Sequence, residues 1–213
     1  MTTARSNTYI WATWLAKLMA GQQACEFSAW FKAHYLYDKL PGGFDAGAWT
    51  IEHARCLHEL RVERLQAREA VYVGTTNSFR YQPRPGVTLA GRPDLIGDDL
   101  LSNPTVYAVK TGREKTSDWI EVLIYMHVLP LAVERYRGIR LDGCVVYADH
   151  RLSLPAASID GGFIRNFEYF LGVIAGESAP PKAPGESECR FCNIGSSDCP
   201  ERWGESGTAL KLA

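Results

Sequence analysis

Two sets of side chains in this sequence have types and spacings that could carry chemistry. Cys189, Cys192 and Cys199 lie in "CRFCNIGSSDCP", a C-x2-C-x6-C-P cluster. Three thiolates in so short a stretch need a fourth ligand to close a tetrahedral zinc site or to hold an iron-sulfur cluster. The other cysteines are Cys25, Cys56 and Cys144. Cys144 sits in the apolar run "GCVVYA" and Cys56 inside a long helical stretch, settings where a free cysteine is usually a small buried hydrophobe. Cys25 follows "AGQQA" at a predicted helix start, an exposed junction suited to a ligand. Spacing alone does not choose between zinc and iron-sulfur.

The second set lies in residues 91–112, "GRPDLIGDDLLSNPTVYAVKTG", which reads as two strands joined by a polar loop. Side chains two apart on a strand share a face, so position 108 and Lys110 project together while Tyr107 and Val109 face away. With Asp94 on the neighbouring strand, that face could hold a divalent ion and a phosphate. Paired carboxylates bind Mg2+ or Mn2+, the ion activates water and screens the phosphate, and a lysine stabilises the developing charge. Such a set hydrolyses phosphodiesters. It wants an acid at position 108, where this chain has Ala108. The plain alternative makes Asp94 part of an Arg-Pro-Asp turn and Lys110 an exposed strand end.

These residues must be positioned by regular elements. Ile10, Trp11, Trp14, Leu15, Leu18 and Met19 recur at helical spacing up to Gly21. A second helix is predicted from Cys25 to the "PGG" at 41–43, and a third over Ala46 to Ala70, carrying His53 and His58 in "WTIEHARCLHEL". Strands are predicted at about 71–82, 87–96 and 104–111, separated by "QPRPG" and "GDDLLSNP". A helix over 118 to about 136, a buried strand at 143–149 and a helix near 161–175 complete an α/β order without internal repeats. A Pro/Gly/Ser-rich connector, "GESAPPKAPGESE", follows.

At 213 residues with 46% hydrophobic content, the chain can bury one ordinary core. Charge is nearly balanced, 23 Lys and Arg against 24 Asp and Glu, so any nucleic-acid footprint must be a local patch. The longest apolar stretch, Val122 to Val133, falls short of the roughly 20 residues a membrane span needs. Lys17 interrupts the N-terminal apolar run and no small-residue cleavage site follows, which predicts a reducing, cytoplasmic setting.

Taken together, "GRPDLI", "YAVKTG", "SDWIEVLIYM", Cys25 and "CRFCNIGSSDC" resemble the PD-(D/E)XK nuclease superfamily. The likeness is to its RecB-like branch, which includes CRISPR-associated exonucleases with a four-cysteine iron-sulfur cluster. It covers nearly the whole chain. It implies a restriction-endonuclease-like mixed sheet flanked by helices, as one domain over 1–213. Within that domain, 1–45 would be an N-terminal helical segment, 46–175 the core, 176–188 a linker and 189–213 the cysteine cluster and tail. Asp94 would be the first metal ligand, Lys110 the transition-state lysine and Tyr125 the motif tyrosine near the DNA. Cys25, Cys189, Cys192 and Cys199 would hold a 4Fe-4S cluster that ties the two ends together. A histidine of the upstream helix would join the Mg2+ or Mn2+ site, His53 matching better than His58. The implied activity is metal-dependent exonuclease cleavage of DNA ends or single strands.

The chain departs from that pattern. Position 108 is Ala where the family has Asp or Glu, Glu121 stands where it usually has Gln, and the last cysteine gap holds one residue more than expected. Three accounts of Ala108 follow: an introduced alanine or other isolated loss of the acid, transfer of the carboxylate role to Glu121, or a degenerate nuclease that binds DNA without cutting. For Glu121 a capping box with Asp118 is the plain reading. Arg80, Tyr81, Arg84, Arg92, Arg113 and Lys115 offer local basic and aromatic contacts. The alternatives to a nuclease are a non-catalytic iron-sulfur DNA-binding protein and a zinc-stapled α/β domain with no nucleic-acid role. Protein purified without oxygen is expected to be brown, with broad visible absorption. A colourless preparation carrying stoichiometric zinc would reject the iron-sulfur expectation.

Overall fold

A computed structural model describes residues 1–41, 46–99 and 102–204. Most of the "PGG" stop, two leucines of the "GDDLLSNP" loop and the tail from 205 lie outside the described residues. The chain is α/β with mixed sheets. Its elements run β1 (Thr3–Ala4), β2 (Thr8–Trp11), α1 (Ala12–Met19), α2 (Glu26–His34), β3 (Tyr35–Leu36), α3 (Ala46–Gln66) and β4 (Ala70–Val73). They continue with β5 (Phe79–Arg84), β6 (Val87–Gly91), β7 (Leu95–Asp98), β8 (Thr105–Val109) and α4 (Thr116–Ala132). The chain closes with β9 (Asp142–Val146), β10 (Arg151–Leu154), α5 (Gly161–Ala175) and α6 (Glu186–Arg190).

Five strands form the main sheet in the order β10-β9-β8-β7-β4. Its one parallel pair is β8 with β9, and α4 makes the crossover between them. Two smaller sheets, β2-β6-β5 and β1-β3, stand apart from it. The alternation predicted for "YAV" holds. Tyr107 and Val109 pack with Leu60 of α3, Leu95 and Val146. Val106 and Ala108 face the larger core formed with α1, α4 and α5.

Four expectations are corrected. Ile10 and Trp11 are not helical: they belong to β2, because the free edge of β6 offers parallel ladder bonds that local periodicity cannot reveal. The run 87–96 is two strands in two sheets, not one. Pro93 has no N–H for a ladder, so the chain turns at 92–94 and Asp94 falls just before β7. The capping acid of α4 is Asp118, whose Oδ2 accepts from the Lys115 N–H at 3.2 Å, so Glu121 lies a turn inside the helix and is buried. The connector also ends earlier than expected, since α6 takes up 186–188. Among the described residues no helix is long and apolar enough to cross a membrane.

The approach of α4 to the sheet depends on Gly143. A Cβ there would stand 2.5 Å from Val122 Cγ1 and 2.6 Å from Met126 Sδ, both side chains buried in α4. Overpacking of this kind costs about 1–3 kcal/mol. Gly143→Ala is therefore expected to lower Tm, by roughly 2–4 °C per kcal/mol in a chain of this size. A calorimetric scan showing no fall would mean the helix sits farther from the sheet.

Candidate metal and nucleic-acid site

The turn at 92–94 and the β7–β8 hairpin set the first acid. Leu95, the first residue of β7, pairs with Tyr107, and Asp94 just before it reaches the end of β8 by its side chain. Asp94 Oδ2 accepts the Val109 N–H at 2.8 Å, a side chain closing the ladder where the backbone has turned away. Its Oδ1 stands 3.4 Å from His53 Nε2, delivered from the first half of α3, and the imidazole stacks on Trp49. His58 is exposed and lines no part of this cleft, so of the two histidines only His53 meets Asp94.

Lys110 follows β8 on the same side as Ala108, its N–H bonded to the Val146 carbonyl at 2.9 Å. Its Nζ lies 2.7 Å from Glu121 Oε2. Burial pushes the ammonium down, but the adjacent carboxylate more than offsets this, and the Lys110 pKa is raised overall. The other Glu121 oxygen accepts from the Tyr125 hydroxyl. Burial, reinforced by that carboxylate, raises the Tyr125 pKa well above its ordinary value. The ring is 4% exposed and packs edge-on against Phe79, so it reaches the cleft through Glu121 rather than standing on a surface that DNA would touch.

Asp94, His53, Ala108, Lys110, Glu121 and Tyr125 thus border one cleft of about 1110 Å³. Its cations, Arg80, Arg92, Lys110, Arg113 and Lys115, outnumber its carboxylates, Asp94, Asp118 and Glu121, by five to three. A nearly neutral chain therefore carries a locally positive cleft. Arg84 belongs elsewhere: its Nη2 donates to the Ala175 carbonyl and caps the end of α5. Three aromatic linings of the cleft, Tyr9, Trp11 and Trp49, were not singled out by the sequence reading. Taking "TYIW" as a period-2 strand would have marked Tyr9 and Trp11.

The cysteines divide as their sequence settings suggest. Cys144 is buried in β9 and Cys56 lies half-buried on α3. Cys25, at the N-cap of α2, and Cys189, Cys192 and Cys199 line a single small cavity with Phe27 and Ile194. Burial raises the Cys199 thiol pKa, with the three other sulfurs adding to the rise and Lys182 opposing it. The Trp203 N–H points at Cys189 Sγ, 3.3 Å away. Among the described residues, however, no three His, Cys, Asp or Glu side chains close around a point that would hold one metal ion. The four cysteines share the lining of that cavity, and in the Asp94 cleft His53 is the neighbouring ligand side chain.

No family model and no curated protein matches the chain. A solved structure described as the crystal structure of SSO0001 aligns with 89% of this chain and 85% of its own length, at 14% identity and a TM-score of 0.47. A likeness at that level carries no argument.

The Lys110–Glu121 pair is testable as a structural unit. Removing one partner of a buried pair leaves an uncompensated charge and costs about 3 kcal/mol or more. Lys110→Met should lose about that much in urea unfolding, and adding Glu121→Gln should recover most of it. A single variant as stable as the parent would mean the pair is open in solution.

Proposed function

We propose that this chain is a nuclease of the PD-(D/E)XK type whose metal site lacks one acid. The observation that carries the reading is the Asp94 carboxylate held at the end of β8 by the Val109 N–H, with Lys110, Glu121, Tyr125 and His53 at the same cleft. The restriction-endonuclease-like core fits the mixed sheet, with α3 on one face and the α4 crossover on the other. DNA as substrate is supported by the locally positive cleft with aromatic walls.

Asp94 and His53 would hold Mg2+ or Mn2+, with water filling the remaining positions, as suits an ion that keeps much of its hydration. The ion would supply an activated water and charge neutralisation at the phosphate. Lys110 would stabilise charge on the phosphate, and to do so it must turn from Glu121. Glu121 itself keeps Lys110 charged and placed. Each Glu121 oxygen accepts one hydrogen bond and keeps a second lone pair, so transfer of the acid role to Glu121 and an isolated loss at Ala108 both stay open.

The four cysteines that ring one cavity are suited to a 4Fe-4S cluster. The N–H directed at Cys189 Sγ is the kind of contact that stabilises a metal-bound thiolate. The cluster's role would be structural.

A second reading, a DNA-binding protein that does not cut, is favoured by the two-ligand site and by Ala108 packing as a core residue, 2% exposed. Restoring an acid separates the two. Ala108→Asp or Ala108→Glu is expected to give Mn2+-dependent degradation of DNA, and Mn2+ should raise the Tm of that variant more than that of the parent, which has one ligand fewer. If neither variant cuts while Mn2+ still raises its Tm, the nuclease reading fails and the binding reading stands.

A further inference from the structure

We propose that the outward face of the β2-β6-β5 sheet is the floor on which an unpaired nucleic-acid strand lies as it enters the cleft. Tyr9 and Trp11 would stack on its bases and Arg80 would contact its phosphates. This rests on the nuclease reading of the Asp94 cleft and names the surface that would place the strand there.

The register fixes which side chains share this face. Trp11 pairs with Ala90, and Ala90 with Arg80, so Trp11 and Arg80 flank the short Ala90 side chain in one row across three strands. Tyr9 pairs with Thr88 in the next row. The alternate residues Ile10, Leu89 and Phe79 point the other way and are buried. The outward face is thus two rows of aromatic, small and basic side chains over an apolar underside.

Trp11 is 40% exposed although it sits in a strand, and its ring is braced edge-on by Tyr9 at 5.5 Å between centroids. Arg80 is exposed and has no ion-pair partner among the described residues, whereas Arg55, Arg137 and Arg151 are all paired. Tyr9 and Arg80 also line an adjoining groove with Arg5, Asn7 and Gln82, so the surface runs on from the Asp94 cleft toward the N-terminal ribbon. Across the cleft Trp49 stands stacked on His53. Aromatic platforms interleaved with unpaired cations and neutral polar groups suit a chain with exposed π-faces and a phosphate at each step. An apolar protein partner would want a more continuous apolar patch.

The test is fluorescence anisotropy of the full-length protein with a labelled oligothymidylate and, separately, a blunt duplex, in EDTA and at several salt concentrations. Stacking on one aromatic ring accounts for about tenfold in affinity or more. Trp11→Ala and Tyr9→Ala should each weaken single-strand binding by about that factor, with Trp11→Phe close to the parent. Tyr169→Ala, an exposed ring on α5, should change nothing. Arg80→Gln should lower the slope of log K against log salt by about 0.7, one phosphate contact on a single strand. Parent-like binding by Trp11→Ala and Tyr9→Ala, or equal losses on single strand and duplex, would overturn the floor while leaving the nuclease reading intact. If an alanine variant misfolds by circular dichroism, the Arg80→Gln slope decides, and an unchanged slope overturns the proposal. A parent that binds neither probe would sink the nuclease reading and the floor together.

Discussion

The 2.7 Å contact between Lys110 and Glu121 joins the end of β8 to the second turn of α4, and the cleft takes its shape from it. Glu121 is buried and Lys110 half-buried, so each charge is held mainly by the other and the strand end and the helix hold each other in place. The remaining carboxylate oxygen is taken by Tyr125, one turn further along, which seats that ring against Phe79 under the cleft floor. Because α4 is the crossover to the parallel neighbour β9, its pitch over the sheet is set at one end by this ion pair. Toward the other it is set by the close approach over Gly143.

The hairpin does not need an acid at position 108 to keep its geometry. Asp94 is held by a backbone donor, the Val109 N–H, and Ala108 contributes a methyl group to the core beside α4. Position 108 therefore keeps its place in the strand without a charged side chain. The same arrangement leaves the cleft with more cations than carboxylates, a local field that the near-neutral composition conceals.

The α2 segment and the cysteine-bearing segment 189–204 meet through packing as well as through cysteines. Phe27, Trp30 and Phe31 of α2 form an apolar cluster with Ile194, against which Cys25, Cys192 and Cys199 lie. Trp30 Nε1 donates to the Gly176 carbonyl at 2.7 Å, the Tyr37 hydroxyl to Asn193 at 2.7 Å, and the Arg202 guanidinium to the carbonyls of Cys192 and Ile194. The thiols are gathered by the protein's own contacts, so any group they hold would reinforce a junction already formed.

Much of the chemistry was legible because it depends on residue type and short spacing. The cysteine trio, the shared face of positions 108 and 110, most of the helix expected over 46–70 and the helix near 161–175 all follow from patterns within a few residues. Where ladder partners decide, local pattern failed. Ile10 and Trp11 read as helix yet form a strand on the edge of β6, and Glu121 reads as a helix cap yet is buried against a lysine eleven residues earlier. Sequence by itself determined which groups are available and which could share a strand face. Only the tertiary structure decided that His53 rather than His58 meets Asp94, that four cysteines from the two ends ring one cavity, and that Tyr9 and Trp11 border the cleft. Those are distances across the fold, set by strand pairing and core packing between segments whose separation along the chain carries no local signal.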